Sequence, residues 1–399
     1  MAGAKLAYRT EDTAPMPPAG EVIAAIHDLR GTIEAKAAAN PEADCIDAEV
    51  LGLLTDAGVF TMMAPAVLGG PEAHPAEVFE ALKLLSYMDG STGWYCQAGM
   101  TGVAVAGAFL GERAVDAVFH SGRPITVAGQ AAPTGRAERE GDGYRISGAF
   151  SFGSGTANAQ WIVGGYVLHE GGRPVTRADG SPVMLIGVAD RATVAFRGNW
   201  DVLGLRGTGS WDFAVAEQHV HADFVFDPAG GPAKRGGALY RMGFLAIPTL
   251  CHAAFGAGCG RRILDEWAAH ARAKKRVTGS PMAEGETFRA AFARAHGSLR
   301  SAEAYVRRTY DALFDAASAG TPSAELDLDS RLAASNMLSA GTAIAQSAFT
   351  AGATSALRDG HPLQRAFRDM QAGNAHFLTG EQSFIDAGRD LMALGAWLS

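Results

Sequence analysis

Cysteine is scarce in this sequence. Cys45, Cys96, Cys251 and Cys259 are scattered over 399 residues, with no C-x-x-C pair and no histidine placed to complete a zinc set. That excludes a disulfide framework, leaves metal binding without a motif, and reads as reduced, mostly buried thiols of a cytosolic protein. Basic charge is also short. Lys and Arg number 34 against 42 Asp and Glu, a net charge of −8 with histidine neutral, which is the wrong balance for a nucleic-acid binder. A long hydrophobic run is missing: the longest weakly polar stretch, Gly243 to Gly260, is Gly-rich and holds Pro248 and His252, and the N-terminus carries neither a basic n-region nor an apolar h-region. No membrane span or export signal is expected. The G-x-S-x-G elbow, the Walker loop and the H-E-x-x-H helix are absent too, so hydrolase and nucleotidase chemistry lose their usual support.

What is present is apolar material for a large core, 48% of the residues, and 50 glycines, which suit closely packed helices and tight strand turns. The length suggests two or three domains. Residues 1–122 read as helical, with apolar residues at helical spacing over Glu21 to Ala39, Asp47 to Ala57, Ala76 to Met88 and Thr92 to Phe109. Over residues 123–232 the period changes to two. Ile125 to Ala131, Gly135 to Glu140, Tyr144 to Ser151, Trp161 to Leu168, Pro182 to Ala189, Thr193 to Trp200 and Asp212 to Val220 are short, alternating and bounded by glycine, which predicts an antiparallel sandwich or barrel. Residues 233–399 return to the helical period in four long segments, Ala238 to Lys275, Glu286 to Ser318, Asp327 to Leu357 and Leu363 to Leu394, which predict a bundle. The fold class is therefore mainly α with a central β-domain.

Two motifs tempt and fail. Gly256-Ala257-Gly258-Cys259-Gly260 has the look of a dinucleotide loop, but G-x-G-x-x-G needs glycine where Arg261 stands and a strand in front, so close helix packing is the better reading. His219 and His221 lie two apart at a strand end without a third ligand nearby in sequence, and read as exposed strand-end histidines.

Three segments carry a resemblance. They are Gly148-Ala149-Phe150-Ser151-Phe152-Gly153-Ser154-Gly155 followed by Trp161, Trp200-Asp201-Val202-Leu203-Gly204-Leu205-Arg206-Gly207-Thr208-Gly209-Ser210, and Arg365-Ala366-Phe367-Arg368-Asp369 leading to His376. With the order helices, β-domain, four-helix bundle, they make nearly the whole chain resemble the acyl-CoA dehydrogenase superfamily. Dehydrogenases of that superfamily abstract an α-proton with a glutamate that in many members stands nine residues after this arginine. Nine from Arg368 is Phe377, whose ring cannot take a proton. Some members place the base on another helix, where Glu266 or Glu303 would be the candidates. His376 in this position, with GLRGTGS over 204–210 and DGSTGW over 89–94, resembles instead the two-component flavin-dependent monooxygenases of the superfamily, such as the oxygenase components of hydroxyphenylacetate and steroid-phenol hydroxylases and dibenzothiophene monooxygenase.

That resemblance implies reduced FMN or FAD delivered by a separate flavin reductase, dioxygen as co-substrate, and oxygen transfer from a flavin C4a-hydroperoxide to a small hydrophobic or aromatic molecule. It implies His376 as the proton-managing group, a role imidazole suits because it titrates near neutrality. Phe152 falls beside the flavin ring and Ser154, on a Gly-Ser-Gly turn that lets backbone approach a ligand, falls near N5. Gln130 falls at a strand end near the flavin. Ser210, Lys274, Arg276 and Arg358 are the expected phosphate ligands, a hydroxyl with cations. Arg365 and Arg368 are open between a flavin across a subunit boundary and a structural role, the latter favoured for Arg368 paired with Asp369. Trp94, Tyr95, Met100 and Trp200 are the candidate substrate pocket, since aromatics and methionine suit a flat apolar ligand. Phenol hydroxylases of the group often carry a histidine eight residues after the tryptophan at 94, and here that position is Gly102. The alternatives are an acyl-CoA dehydrogenase or oxidase with a displaced base, and a flavin-binding homologue without catalysis. Relatives pair C-terminal bundles into tetramers, so a homotetramer is expected.

Overall fold

A computed structural model describes residues 16–277 and 279–394. The first fifteen and last five residues, which the expected N- and C-terminal domains include, lie outside the described residues. Seven helices come first: α1 (Ala19–Asp28), α2 (Arg30–Lys36), α3 (Asn40–Ala43), α4 (Ala48–Asp56), α5 (Pro75–Met88), α6 (Gly90–Phe109) and α7 (Glu112–Phe119). The long pattern from Glu21 is two helices, and α7 was not anticipated. Caps explain the starts that matter. His74 Nδ1 accepts the Ala76 N–H while Glu77 reaches back to the His74 N–H at 2.9 Å, and Pro75 opens α5 where its missing N–H costs nothing. Asp89 Oδ2 accepts the Thr92 N–H at 2.9 Å and its hydroxyl at 2.8 Å, and so starts α6. Helix α6 is buried on nearly every side, which its glycines permit: a Cβ on Gly102 would lie 2.2 Å from the Val127 carbonyl oxygen.

The strands are β1 (Val127–Glu140), β2 (Gly143–Phe150), β3 (Trp161–Glu170), β4 (Arg173–Pro174), β5 (Met184–Asp190), β6 (Val194–Phe196), β7 (Phe213–His221) and β8 (Val225–Phe226). They form one eight-stranded sheet of order β6-β7-β2-β1-β3-β5-β8, with β4 paired to β3. Two expectations need correction. The two strands expected over 125–140 are one, β1, whose register shifts between Gln130 and Gly135. The sheet is also not wholly antiparallel, because β1 and β3 run parallel. Alternation fixes which face a residue takes and says nothing of strand direction.

The C-terminal helices are α8 (Ala238–Arg241), α9 (Ala246–Ala273), α10 (Glu286–Ala319), α11 (Ala324–Gly352), α12 (Pro362–Asn374) and α13 (Glu381–Leu394). Two of the four expected long segments are broken. Gly243, at φ 109°, ends the first, and Pro248 sits in the first turn of α9, where an N–H is not needed. The last expected helix stops at Asn374 and resumes at Glu381, and His376 lies in the gap rather than on a helix, capping a short 3₁₀ turn by accepting the Leu378 N–H on Nδ1 at 3.3 Å. A side chain that competes for backbone N–H groups breaks a helix that periodicity alone would continue. The Gly256–Gly260 segment is mid-helix in α9, and a Cβ on Gly258 would stand 2.3 Å from the Lys83 carbonyl oxygen of α5. Close helix packing is what these glycines serve. His219 and His221 both face Asp142, at 3.4 and 3.7 Å. Cys96, Cys251 and Cys259 are buried and unpaired. Among the described residues no helix is long and apolar enough to cross a membrane.

Candidate active site

The site forms where α6, the turn after β2, the start of α9 and the α12–α13 gap meet. Trp94, one turn into α6, donates its indole N–H to Ser154 Oγ at 3.0 Å. Ser210 Oγ, from the turn before β7, donates to the same oxygen at 3.3 Å and contacts the Thr208 hydroxyl at 2.6 Å. Ser154 is set in place by an isolated bridge to Gly129, next to Gln130 on β1. The Gln130 side-chain oxygen is taken by the Ala132 N–H at the register shift.

The other face of Trp94 meets α9 and the gap. Its ring lies edge-on to His252 and Phe255, with centroids 5.0 Å away in each case, and 5.8 Å from His376. The two imidazoles are 4.3 Å apart. Burial pushes the pKa of His252 down to about 4. Burial, and then the neighbouring His252, hold His376 well below the ordinary histidine value. Both are neutral at physiological pH. His252 is the residue that sequence reasoning missed: it lies in an apolar, Gly-rich run, and the signal, a ring buried with Nε2 unpartnered, exists only in the fold.

A third wall is apolar and open. Phe152, in the left-handed region at φ 62° between Ser151 and Gly153, leaves its ring 64% exposed, and Trp200 meets it edge-on at 6.0 Å. The Trp200 indole N–H donates to the Leu205 carbonyl at 3.0 Å. Trp94 and Trp200 thus stand at the site. Tyr95 and Met100 are buried in the core; the Tyr95 ring packs against Phe60, and a Cβ on Gly155, the residue after Ser154, would stand 3.7 Å from it.

Beyond the N-terminus of α6 lies a polar cleft lined by Asp89, Ser91, Arg206, Arg365, Arg368 and Asp369. Asp369 Oδ1 accepts the Leu205 N–H at 2.7 Å, which ties α12 to the loop that carries Arg206. Burial first, and then Asp89 nearby, push the Asp369 carboxyl up to about 7. The buried Nε atoms of Arg206 and Arg368 have no partner.

Neither candidate for a displaced base is free of an ion pair. Glu266 pairs with Arg262 at 2.8 Å, and Glu303 with Lys83 at 2.9 Å. Phe377 is 64% exposed, with its ring 4.8 Å from that of His376.

Residues 250–381 match the family model described as acyl-CoA dehydrogenase, C-terminal domain. The chain is 27% identical over 346 residues to an indole-3-acetate monooxygenase of Pseudomonas putida, covering 86% of each chain. It is 29% identical over 383 residues to the oxygenase component of an FADH2-dependent resorcinol hydroxylase of a Rhizobium species, covering 89% of this chain and 88% of that one. The solved HsaA monooxygenase of M. tuberculosis superposes with a TM-score of 0.86 at 24% identity, over 94% of this chain and 98% of that one, and shows the fold. The C-terminal helices thus match the acyl-CoA dehydrogenase C-terminal domain, and most of the chain is similar to proteins named as flavin-dependent monooxygenases.

The expected flavin-phosphate residues do not gather beside Ser154. Ser210 is 1% exposed, and its hydroxyl is spent on Ser154 and Thr208. Lys274 ends α9 and donates to the Gly352 carbonyl at 3.2 Å, while Arg276 binds the Ser280 hydroxyl and Arg358 is exposed beyond α11. At 1.5 Å per residue Lys274 lies about 33 Å along α9 from His252. Lys274 and Arg276 thus stand beyond the far end of α9 from His252. The aromatic turn at Phe152, the hydroxyl of Ser154 and the indole of Trp94 do fit a flavin ring, with a flat apolar face and a polar edge, while Gly153 and Gly155 let the turn pack on Phe213 and Ala128 behind it.

Proposed function

We propose that the protein is the oxygenase component of a two-component system, a monooxygenase that takes reduced FMN or FAD from a separate flavin reductase by diffusion and oxygenates a small hydrophobic or aromatic substrate. Reduced flavin, when bound, supplies with dioxygen the oxygen atom that is transferred. The observation that carries the reading is a neutral imidazole, His376, packed against Trp94 where a proton-abstracting carboxylate is missing. Trp94 orients Ser154, which we assign to the flavin N5 edge, and Phe152 and Trp200 cover the ring and exclude water. Gln130 stands next to the Ser154 bridge, and we assign its amide to the same edge. His376 accepts the Leu378 N–H on Nδ1, so its hydrogen sits on Nε2 as a donor for the oxygen being transferred. Lys274, Arg276 and Arg358 reach a flavin only from a neighbouring subunit. We infer that the assembly is a homotetramer, because Leu357, Ile385 and Met392 leave apolar side chains exposed along the C-terminal helices. The division into three domains, 1–122, 123–232 and 233–399, rests on the changes of element type.

The test is rapid mixing. The protein is loaded anaerobically with reduced FMN and separately with reduced FAD, oxygen is added, and the appearance of oxidised flavin is followed. A lag is expected with one flavin, and His376→Ala shortens it while leaving flavin affinity within a factor of about two. Immediate reoxidation with both flavins overturns the reading and returns the chain to acyl-CoA oxidation.

A further inference from the structure

Helix α9 presents an unusual histidine. His252 Nδ1 lies 2.6 Å from the carbonyl oxygen of Pro248, one turn earlier. A carbonyl only accepts, so Nδ1 carries the ring hydrogen and Nε2 is left as a bare lone pair. That Nε2 is buried and has no partner. The neighbouring His376 has the complementary tautomer, since its Nδ1 accepts from Leu378 and its hydrogen is on Nε2. With the imidazole centroids 4.3 Å apart and the Trp94 ring centroid 5.0 Å from that of His252, the site wall holds one fixed acceptor beside one fixed donor.

On α6, Gly102 packs directly on the Val127 carbonyl, so no side chain fits there, and Thr101 is turned to Cys251, the residue before His252. The unpartnered acceptor in this wall is on α9. A buried acceptor without a partner is a costly feature to keep in a folded protein unless a ligand satisfies it. His376, half-buried, and exposed Phe377 adjoin it from the short 3₁₀ turn between α12 and α13.

We propose that His252 is a specificity-determining residue of the substrate pocket, selecting aromatic substrates that carry an N–H or O–H group to donate to its Nε2. The assignment rests on the monooxygenase reading for the location of the pocket. Its ligand class is narrower than that reading alone requires, because sulfur and hydrocarbon aromatics without a donor leave Nε2 unpaired. A site built around a hydrogen bond rejects the analogue that lacks it more strongly than an apolar pocket rejects a change of size.

The test is equilibrium binding, by calorimetry on the full chain without flavin, of two donors, indole and 2-naphthol, and of their donor-free counterparts, 1-benzothiophene and naphthalene. At least one donor is expected to bind about tenfold or more tightly than its counterpart, which is about 1.4 kcal/mol. His252→Phe keeps a flat ring and removes the acceptor, and brings each pair to within about twofold. His252→Gln, whose amide oxygen reaches the Nε2 position, restores part of the difference and serves as the readout if the Phe variant does not fold. Equal binding of both pairs, no binding of either donor, or a preference unchanged in both variants overturns the proposal. The oxygen-mixing experiment on the same preparations separates the two ideas. A lag without a donor preference removes this role of His252 and leaves the monooxygenase reading standing, whereas a donor preference without a lag does the reverse.

Discussion

Ser154 Oγ accepts the Trp94 indole N–H and is bonded to the Ser210 hydroxyl, which lies in turn against Thr208. Ser154→Ala removes that hydroxyl from the proposed flavin edge and leaves the Trp94 N–H unpaired. The expected result is about tenfold weaker binding of reduced flavin, from a hydrogen bond worth roughly 1–2 kcal/mol, measured by anaerobic ultrafiltration. Unchanged affinity would remove Ser154 from the flavin site. Two buried titrating groups act on stability with opposite sign. His252, at about 4 in the fold against an ordinary value of 6.5, binds its proton less readily folded than unfolded, so stability is full above pH 6.5 and falls as pH drops toward 4. Asp369, at about 7 against 3.8, holds its proton more tightly folded, so its contribution is full below pH 3.8 and is lost as pH rises through 7. Asp369→Asn, which keeps an acceptor for the Leu205 N–H, is expected to melt above the parent at pH 8 and to flatten its pH dependence between 4 and 7. A lower melting temperature at pH 8 counts against the buried-carboxyl account. At this scale Trp94, Ser154 and His376 were legible because they fall in segments shared with a family. His252 was not, because an unpaired ring nitrogen is a property of packing that no spacing in the sequence reveals.

Elements are fixed by small residues and caps more than by long apolar stripes. Helix α9 lies so close to α5 that Gly258→Ala would drive a methyl group into the Lys83 carbonyl, 2.3 Å away. The expected cost is about 1–3 kcal/mol, read as a lower denaturation midpoint with an unchanged slope. Gly297→Ala is the control. That glycine is on α10 with open space around its Cβ position, and the change there raises helix propensity without a clash. Equal effects of the two would mean that α5 and α9 are not held at this distance. The periods of 3.6 and two made most of these elements legible, from α5 and α6 through β2, β3 and β7 to α10 and α11. What they could not show were features set between segments or by side-chain caps: the parallel pairing of β1 with β3, the merging of two expected strands into β1, and the interruption of the last helix by the bond from Leu378 to His376.

For the whole molecule, the exposed apolar side chains at Leu357, Ile385 and Met392 predict assembly through the C-terminal helices. Light scattering should give four copies. Ile385→Asp, 54% exposed on α13, should lower the mass without changing the helical signal by circular dichroism. A parent that scatters as a monomer would refute the tetramer and would remove the route by which Lys274, Arg276 or Arg358 reaches a flavin. The gap between α12 and α13 has a broader consequence. The frame clamps that gap from both ends, through Asp369 on the Leu205 loop and through α13 against α11, yet the residues inside it satisfy their backbone largely among themselves. One short turn thus divides two neighbouring rings between the inside and the outside of the protein: the imidazole of 376 is turned to Trp94 and His252, and the phenyl of 377 is left to solvent.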